Sequence, residues 1–111
     1  SVTDLSRFAL AQFNDSDQIL ALTRKPTFTL QANKAHMGLG WAIKNNTGEE
    51  WITHSGGTGG YRSFITIDMT NRTGVIILSN LSAFHKKNMN IDNLGIRLLG
   101  TLKKSHLMAQ H

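Results

Sequence analysis

A polar, glycine-rich run lies between two segments that have the pattern of β-strands, and it constrains this chain more than any other feature. The run, residues 54–64, contains four glycines and three serine or threonine hydroxyls in eleven residues. This density exceeds what an ordinary hairpin turn needs. Because glycine has no Cβ atom, it leaves backbone N–H groups open to a ligand. The run therefore predicts one wall of a site for an anionic or carbonyl-bearing ligand, with the titratable His54 beside the amides.

Alternation of apolar and polar or small residues predicts four strands around this run. They cover residues 38–44, 51–54, 61–69 and 75–80. Turn signals at residues 45–48 and 71–74 join neighbouring strands into antiparallel hairpins. The last strand is apolar on both faces, which is typical of a central strand with a partner on each edge.

Helical periodicity predicts helices before and after the strands in the sequence. Thr3 is a suitable N-cap for the first helix, and two helices are expected within residues 3–25, ended by Pro26. Residues 27–36 are irregular and predict a loop. A C-terminal helix is expected over about residues 86–105, where leucines and isoleucine form an apolar stripe. The expected fold class is α+β, an antiparallel β-sheet flanked by helices.

Four landmarks occur in an order that resembles a known family. His54-Ser55-Gly56, followed by a Gly/Thr-rich turn and Tyr61, resembles the third conserved box of the penicillin-recognising serine hydrolases. That box is Lys-Thr-Gly in many β-lactamases and DD-peptidases and often His-x-Gly in the class C-like branch of esterases and peptidases. The other landmarks are a helix start at residues 1–5, Gly-Leu-Gly-Trp at residues 38–41, and the strand at residues 75–80, ending in Leu-Ser-Asn.

The resemblance implies that residues 1–111 are a C-terminal fragment of a β-lactamase/transpeptidase-like domain, in an extracytoplasmic or periplasmic bacterial protein. It also implies roles in hydrolysis of a β-lactam, a D-alanyl peptide or an ester. Catalytic roles fall on His54 and on the backbone amide of Gly57, which would serve the oxyanion hole. Substrate-binding roles fall on the remaining polar and small residues of the box and turn, namely Ser55, Gly56, Thr58, Tyr61 and Arg62. Because His54 replaces lysine, the resemblance favours esterase or peptidase relatives.

Two motifs of the family do not occur in these 111 residues. There is no Ser-x-x-Lys, which carries the nucleophile, and Tyr61, the only tyrosine, is not part of a Tyr-x-Asn. The chain by itself is therefore expected to be inactive and to need the N-terminal part of the same protein. A homodimer or strand swap through an open sheet edge is a further expectation. The alternative function is a non-catalytic binding or assembly module that retains the fold.

Composition excludes several other classes. The chain is 40% hydrophobic and 17% charged, which is typical of a folded domain, and it has no cysteine. Its net charge of +5 is modest, and the lysine pairs do not alternate with aromatic residues, so no nucleic-acid partner is expected. The histidines lack metal-ligand spacing, and the glycine run is not a P-loop. We expect no metal, no cofactor and no membrane span in this segment.

Overall fold

Six antiparallel strands form one sheet, with two short helices before it and a long helix after it. The computed structural model describes residues 1–31, 35–46 and 48–109. Its elements are α1 (Val2–Ala11), α2 (Gln18–Thr23), β1 (Phe28–Leu30), β2 (Ala35–Met37), β3 (Ala42–Asn46), β4 (Glu49–Gly57), β5 (Arg62–Asp68), β6 (Thr73–Ser79) and α3 (Met89–Ala109). The strands lie in the order in which they occur in the chain. This architecture confirms the expected α+β class with an antiparallel sheet flanked by helices.

The sheet has an apolar layer on each face. On one face, isoleucines of three adjacent strands pack with Trp41 and with Ala9 of α1; they are Ile43, Ile52, Ile65 and Ile67. The rings of Phe8 and Trp41 stack there with their centroids 6.1 Å apart. On the other face, α3 packs against β5 and β6. Leu99 of α3 is fully buried, and the Phe64 ring leaves no room for a side chain at Gly95.

Side-chain hydrogen bonds fix the ends of α1 and the β5–β6 turn. The Ser1 hydroxyl caps α1, so this helix begins before the predicted cap at Thr3. Asp68 is fully buried and accepts hydrogen bonds from the backbone N–H groups of Thr70 and Asn71. Arg72 adopts a positive φ of 56° in this turn, and its guanidinium donates to the carbonyl of Phe13 at 2.7 Å. These contacts hold the end of α1 close to β6.

The loop predicted for residues 27–36 is wrong, because its two ends form the strands β1 and β2. Thr29 pairs with His36, and the Thr29 hydroxyl lies 2.9 Å from the His36 ring. Side chains of β1 are exposed throughout. With only three residues, the strand is too short for its alternation to be recognised, and backbone pairing rather than burial places it in the sheet. Residues 32–34 lie outside the described residues.

The strand predicted for residues 38–44 begins later, at Ala42. Gly38 donates its N–H to the carbonyl of Trp41 at 2.8 Å, and Gly40 has a φ of 82°, so residues 38–41 form a turn. Thr47, in the predicted turn that follows β3, is outside the described residues. Alternation of glycine with larger residues therefore does not distinguish a strand from a turn, since glycine also serves tight turns.

The last strand, β6, is at an end of the sheet and not in its centre. Within the described ranges it pairs only with β5, from Thr73 opposite Asp68 to Ser79 opposite Arg62. Its apolar residues on both faces have another cause: α3 covers one face, and Ile76 packs against the core cluster on the other. The other edge of β6 has no strand beside it among the described residues.

The C-terminal helix starts at Met89 instead of residue 86. Hydrogen bonds within residues 82–88 replace its first predicted turn: the Ser82 hydroxyl accepts from the Phe84 N–H, and His85 accepts from Lys87 and Asn88. No helix in the described part of the chain is long and apolar enough to cross a membrane.

Candidate functional site

The glycine-rich run lies where β4 extends past the end of β3. Pairing of β3 with β4 ends at Ala42 opposite Thr53, whereas β5 pairs with β4 as far as Arg62 opposite Gly57. Residues 54–57 are therefore paired along one edge, and no strand of the described chain pairs with the other edge. We call this unpaired stretch of β4, residues 54–57, the open edge.

Backbone geometry directs the Gly57 amide into the open edge. Thr58 donates its N–H to the carbonyl of Tyr61 at 2.8 Å, which directs that amide toward β5. Successive N–H groups of an extended strand point to opposite edges. The N–H of Gly57 consequently points away from β5, where a ligand can accept from it.

The segment formed by residues 82–84 requires glycine at position 57. Ala83 donates its N–H to the carbonyl of Thr58 at 2.9 Å, which places residues 82–84 against the glycine run. A Cβ atom on Gly57 would lie only 2.5 Å from the Cβ of Ala83. The missing side chain therefore allows this segment to hold the backbone that carries the outward amide. Sequence patterns gave no indication of the contact, because it joins residues far apart in the chain.

The ring of His54 is fixed by a backbone carbonyl. Its Nδ1 lies 2.7 Å from the oxygen of Gly40. Because a carbonyl oxygen only accepts, Nδ1 is the protonated donor, and in the neutral ring Nε2 is left as an acceptor. Exposed on the α1 face, His54 lines a groove of about 320 Å³ with Phe8, Leu39 and Trp41. The groove is mostly apolar, and the His54 imidazole lies at its edge.

Most of the other predicted substrate-binding residues surround a cavity that Gly57 also lines. The cavity has a volume of about 460 Å³ and is lined by Gly56, Gly57, Thr58, Tyr61, Arg62, Ser63, Leu78 and Ser79. Ser55 is exposed on the opposite face of β4 from His54, because successive side chains of a strand alternate. Leu78 and Ser79 were missed, since only the pairing of β6 with β5 brings them to the site.

Arg62 reaches this region, but its charge has a partner inside the fold. Its guanidinium makes two 2.9 Å contacts with the carboxylate of Asp92, and the two side chains are only 12% and 15% exposed. The resemblance assigned Arg62 a substrate-binding role, and in the fold its charge is paired with Asp92. Arg62 instead ties the start of β5 to the first turn of α3.

Metal ligation finds no support in the described residues, which hold no group of three or more His, Cys, Asp or Glu able to bind an ion. The side chain of His106 and all of His111 lie outside that description.

Comparison with family models identifies the family of the chain. The family model described as Beta-lactamase matches residues 1–98, so the chain belongs to the beta-lactamase family, which has a serine hydrolase-type fold. Comparison with curated proteins finds no match, and comparison with solved structures finds none either.

Proposed function

We propose that this chain supplies the substrate-binding and oxyanion wall of a serine hydrolase. The reaction is transfer of an acyl group from a β-lactam, a D-alanyl peptide or an ester to a serine, followed by hydrolysis. The serine belongs to the N-terminal part of the same protein, because the chain contains no Ser-x-x-Lys. The observation that carries the proposal is the Gly57 amide directed into the open edge beside a fixed histidine.

The open edge suits a developing oxyanion. A strand edge with free N–H groups binds an extended substrate through its backbone, as an added strand does. The Gly57 amide is held by the pairing of β4 with β5 and by the segment at Ala83, which packs against the Cβ position of Gly57, so it needs no reorganisation during the reaction. A donor fixed in this way lowers the barrier of acyl transfer by about 3 kcal/mol.

His54 has a defined part in this scheme. Since Nδ1 donates to Gly40, a neutral His54 offers Nε2 to the nucleophile or to the leaving group as a proton acceptor. Once protonated, the same nitrogen donates a hydrogen bond. The lysine of other family members is a permanent cation, so His54 attracts a substrate carboxylate less strongly and favours ester or peptide substrates.

The groove beside His54 is where we place the N-terminal part. Phe8 and Leu39 are 44% and 55% exposed there, next to the buried Trp41. Apolar side chains grouped in one groove are stabilised when another surface covers them. A helix carrying the nucleophilic serine, packed on this groove, would bring the hydroxyl to the Nε2 side of His54.

Reconstitution tests the proposal. The chain is mixed with a separately produced N-terminal part that carries Ser-x-x-Lys, and labelling by a fluorophosphonate probe is followed by intact mass. We expect labelling of the mixture and none of either part alone. His54→Ala is expected to slow labelling by about 100-fold. His36→Ala, which removes a histidine on β2 outside the site, is expected to leave the rate unchanged.

Absence of labelling in a folded mixture would reject the hydrolase and favour the alternative, a non-catalytic binding or assembly module. Labelling that His54→Ala leaves unchanged would remove His54 from the catalytic residues while keeping the hydrolase.

A further inference from the structure

We propose that a groove between α3 and the strands β3 and β4 binds a small organic carboxylate with an apolar body. The helix packs mainly on β5 and β6 and leaves part of the neighbouring strands open on this face. One cavity of about 220 Å³ is lined by Lys44, Glu49, Trp51 and Ile96. A wider cavity of about 900 Å³ shares Lys44 and Ile96 with it and extends to Arg97. We call the two cavities together the α3 groove.

The α3 groove lies far from the open edge of β4. Trp51 precedes Gly57 by six residues on this strand, which is about 20 Å along it. The side chain of Trp51 is also on the opposite face of the sheet from His54, because successive side chains of a strand alternate. The groove is therefore a second site, and the inference is independent of the proposed function.

Two cations from separate elements line the wider cavity. Lys44 belongs to β3 and Arg97 to α3, and both side chains are exposed. Neither makes an ion pair within residues 1–31, 35–46 and 48–109. An ammonium and a guanidinium without counter-charges attract an anion, and the planar guanidinium matches the two oxygens of a carboxylate.

The carboxylates of the protein near the groove are already engaged. Glu49 lines the narrower cavity, and its carboxylate is paired with Lys103 of α3. Asp68, the strand partner of Trp51, accepts three hydrogen bonds from the turn that follows β5. The charge left without a partner in the groove is therefore positive.

The indole of Trp51 supplies a donor that lacks an acceptor. Its Nε1 atom is buried and has no hydrogen-bond partner among the described residues. Because a buried N–H group without a partner is unfavourable, an acceptor brought to it is stabilising. The atom is covered, so an acceptor reaches it only when a neighbouring side chain moves. Lys44 lies directly opposite Trp51 in the strand register, and its exposed, flexible chain can move toward a bound carboxylate.

Apolar surface in the groove selects the rest of the ligand. Ile96 is half-buried, Leu94 is 46% exposed, and the ring of Trp51 lies beside them. A carboxylate attached to a ring buries that ring here, whereas inorganic phosphate has no apolar part to bury. The narrower cavity has room for one ring, since an apolar cavity of about 150 Å³ accepts benzene. A carboxylate on a single ring is thus the class of ligand that fits.

Titration of the ¹⁵N-labelled chain with benzoate, benzyl alcohol and inorganic phosphate tests the groove. The chain contains two tryptophans, Trp41 and Trp51, so each contributes one indole N–H signal. We expect benzoate to shift the Trp51 indole proton downfield and to leave the Trp41 signal, on the other face, in place. Benzyl alcohol keeps the ring but lacks the charge, and we expect it to bind about tenfold more weakly. Phosphate is expected to leave the Trp51 signal unchanged.

Three surface variants separate the groove from general attraction to a basic protein. Lys44→Gln and Arg97→Gln are each expected to weaken benzoate binding by about fivefold to tenfold. Lys25→Gln is the matched control, because Lys25 is exposed, follows α2 and lines neither cavity. Its affinity for benzoate is expected to equal that of the unchanged chain.

Absence of a shift at Trp51, equal affinity for benzoate and benzyl alcohol, or an equal loss of binding in Lys25→Gln would each overturn the proposal. An equal response of the Lys44 and Arg97 amides to phosphate and to benzoate would mean an adventitious ion only, and would overturn it as well. These measurements need no nucleophile. A failure of the α3 groove therefore leaves the hydrolase proposal standing, and a failure of the hydrolase proposal leaves the groove standing.

Discussion

Asp92 holds the guanidinium of Arg62 with two 2.9 Å contacts, and a third contact of 3.2 Å reaches Nε. Arg62 is the strand partner of Gly57, while Asp92 lies in the first turn of α3. The pair therefore joins β5, the strand paired with the one that carries the proposed oxyanion amide, to the helix behind the sheet. Its geometry is bidentate, which is the strongest arrangement for an Arg–carboxylate pair.

Asp92→Asn is expected to lower the free energy of unfolding by about 2–3 kcal/mol, because it leaves the guanidinium largely buried without its counter-charge. Urea unfolding followed by circular dichroism measures the loss. Arg7→Met is the control: it breaks the Arg7–Asp4 pair, whose side chains are 77% and 72% exposed. A change of less than about 0.5 kcal/mol is expected there. Equal effects of the two substitutions would contradict a structural role for the Arg62–Asp92 pair.

Gly57→Ala is expected to lower the free energy of unfolding by about 1–3 kcal/mol, since the added methyl group overlaps Ala83. It should also displace residues 82–84, and with them the amide proposed for the oxyanion. Amide chemical shifts of residues 82–84 and thermal unfolding measure both effects. Gly60→Ala is the matched control, because a Cβ atom there meets nothing within 4 Å. A wild-type spectrum for Gly57→Ala would show that the close packing at Ala83 is absent in solution.

The two glycines of α3 predict opposite effects of one substitution. Gly95→Ala places a methyl group into the Phe64 ring, and we expect a loss of about 1–3 kcal/mol. Gly100→Ala meets no atom within 4 Å and is expected to stabilise the protein by about 0.5–1 kcal/mol through helix propensity. Urea midpoints of the two variants compare them directly. The same sign of change in both would contradict the packing of α3 against β5.

The exposed edge of β6 predicts self-association of the chain. Residues 73–79 contain no charge and no proline, the features by which edge strands resist pairing. Sedimentation equilibrium is expected to show a mass that rises with concentration, and addition of the N-terminal part should suppress it. A monomer at every concentration, with β6 amides strongly protected from hydrogen exchange, would mean that this edge is already covered.

Local sequence patterns predicted the α+β class, because it follows from periodicity and turn residues. The approximate positions of β4, β5 and α3 follow from the same local signals. Such patterns could not identify β1, which has only three residues, or place β6 at an end of the sheet. A strand covered by a helix on one face and a core on the other has the same apolar pattern as a central strand.

The candidate site, too, could be predicted only in part from the sequence. Glycine density and the histidine, which are both local signals, placed the candidate site at this turn. The partners of the site residues come from elsewhere in the chain: Gly40 for His54, Asp92 for Arg62, and Ala83 for the glycine run. Only the fold brings these together, and for this reason the pairing of Arg62 with Asp92 could not be predicted from the sequence.

A crystal structure of the reconstituted protein, labelled on its serine with a phosphonate, would show whether the Gly57 amide forms the oxyanion hole. We expect one phosphonyl oxygen to accept a hydrogen bond from the Gly57 N–H at about 3 Å, with the His54 ring still bound to Gly40. A labelled serine whose phosphonyl oxygens all bind donors outside the open edge would contradict it.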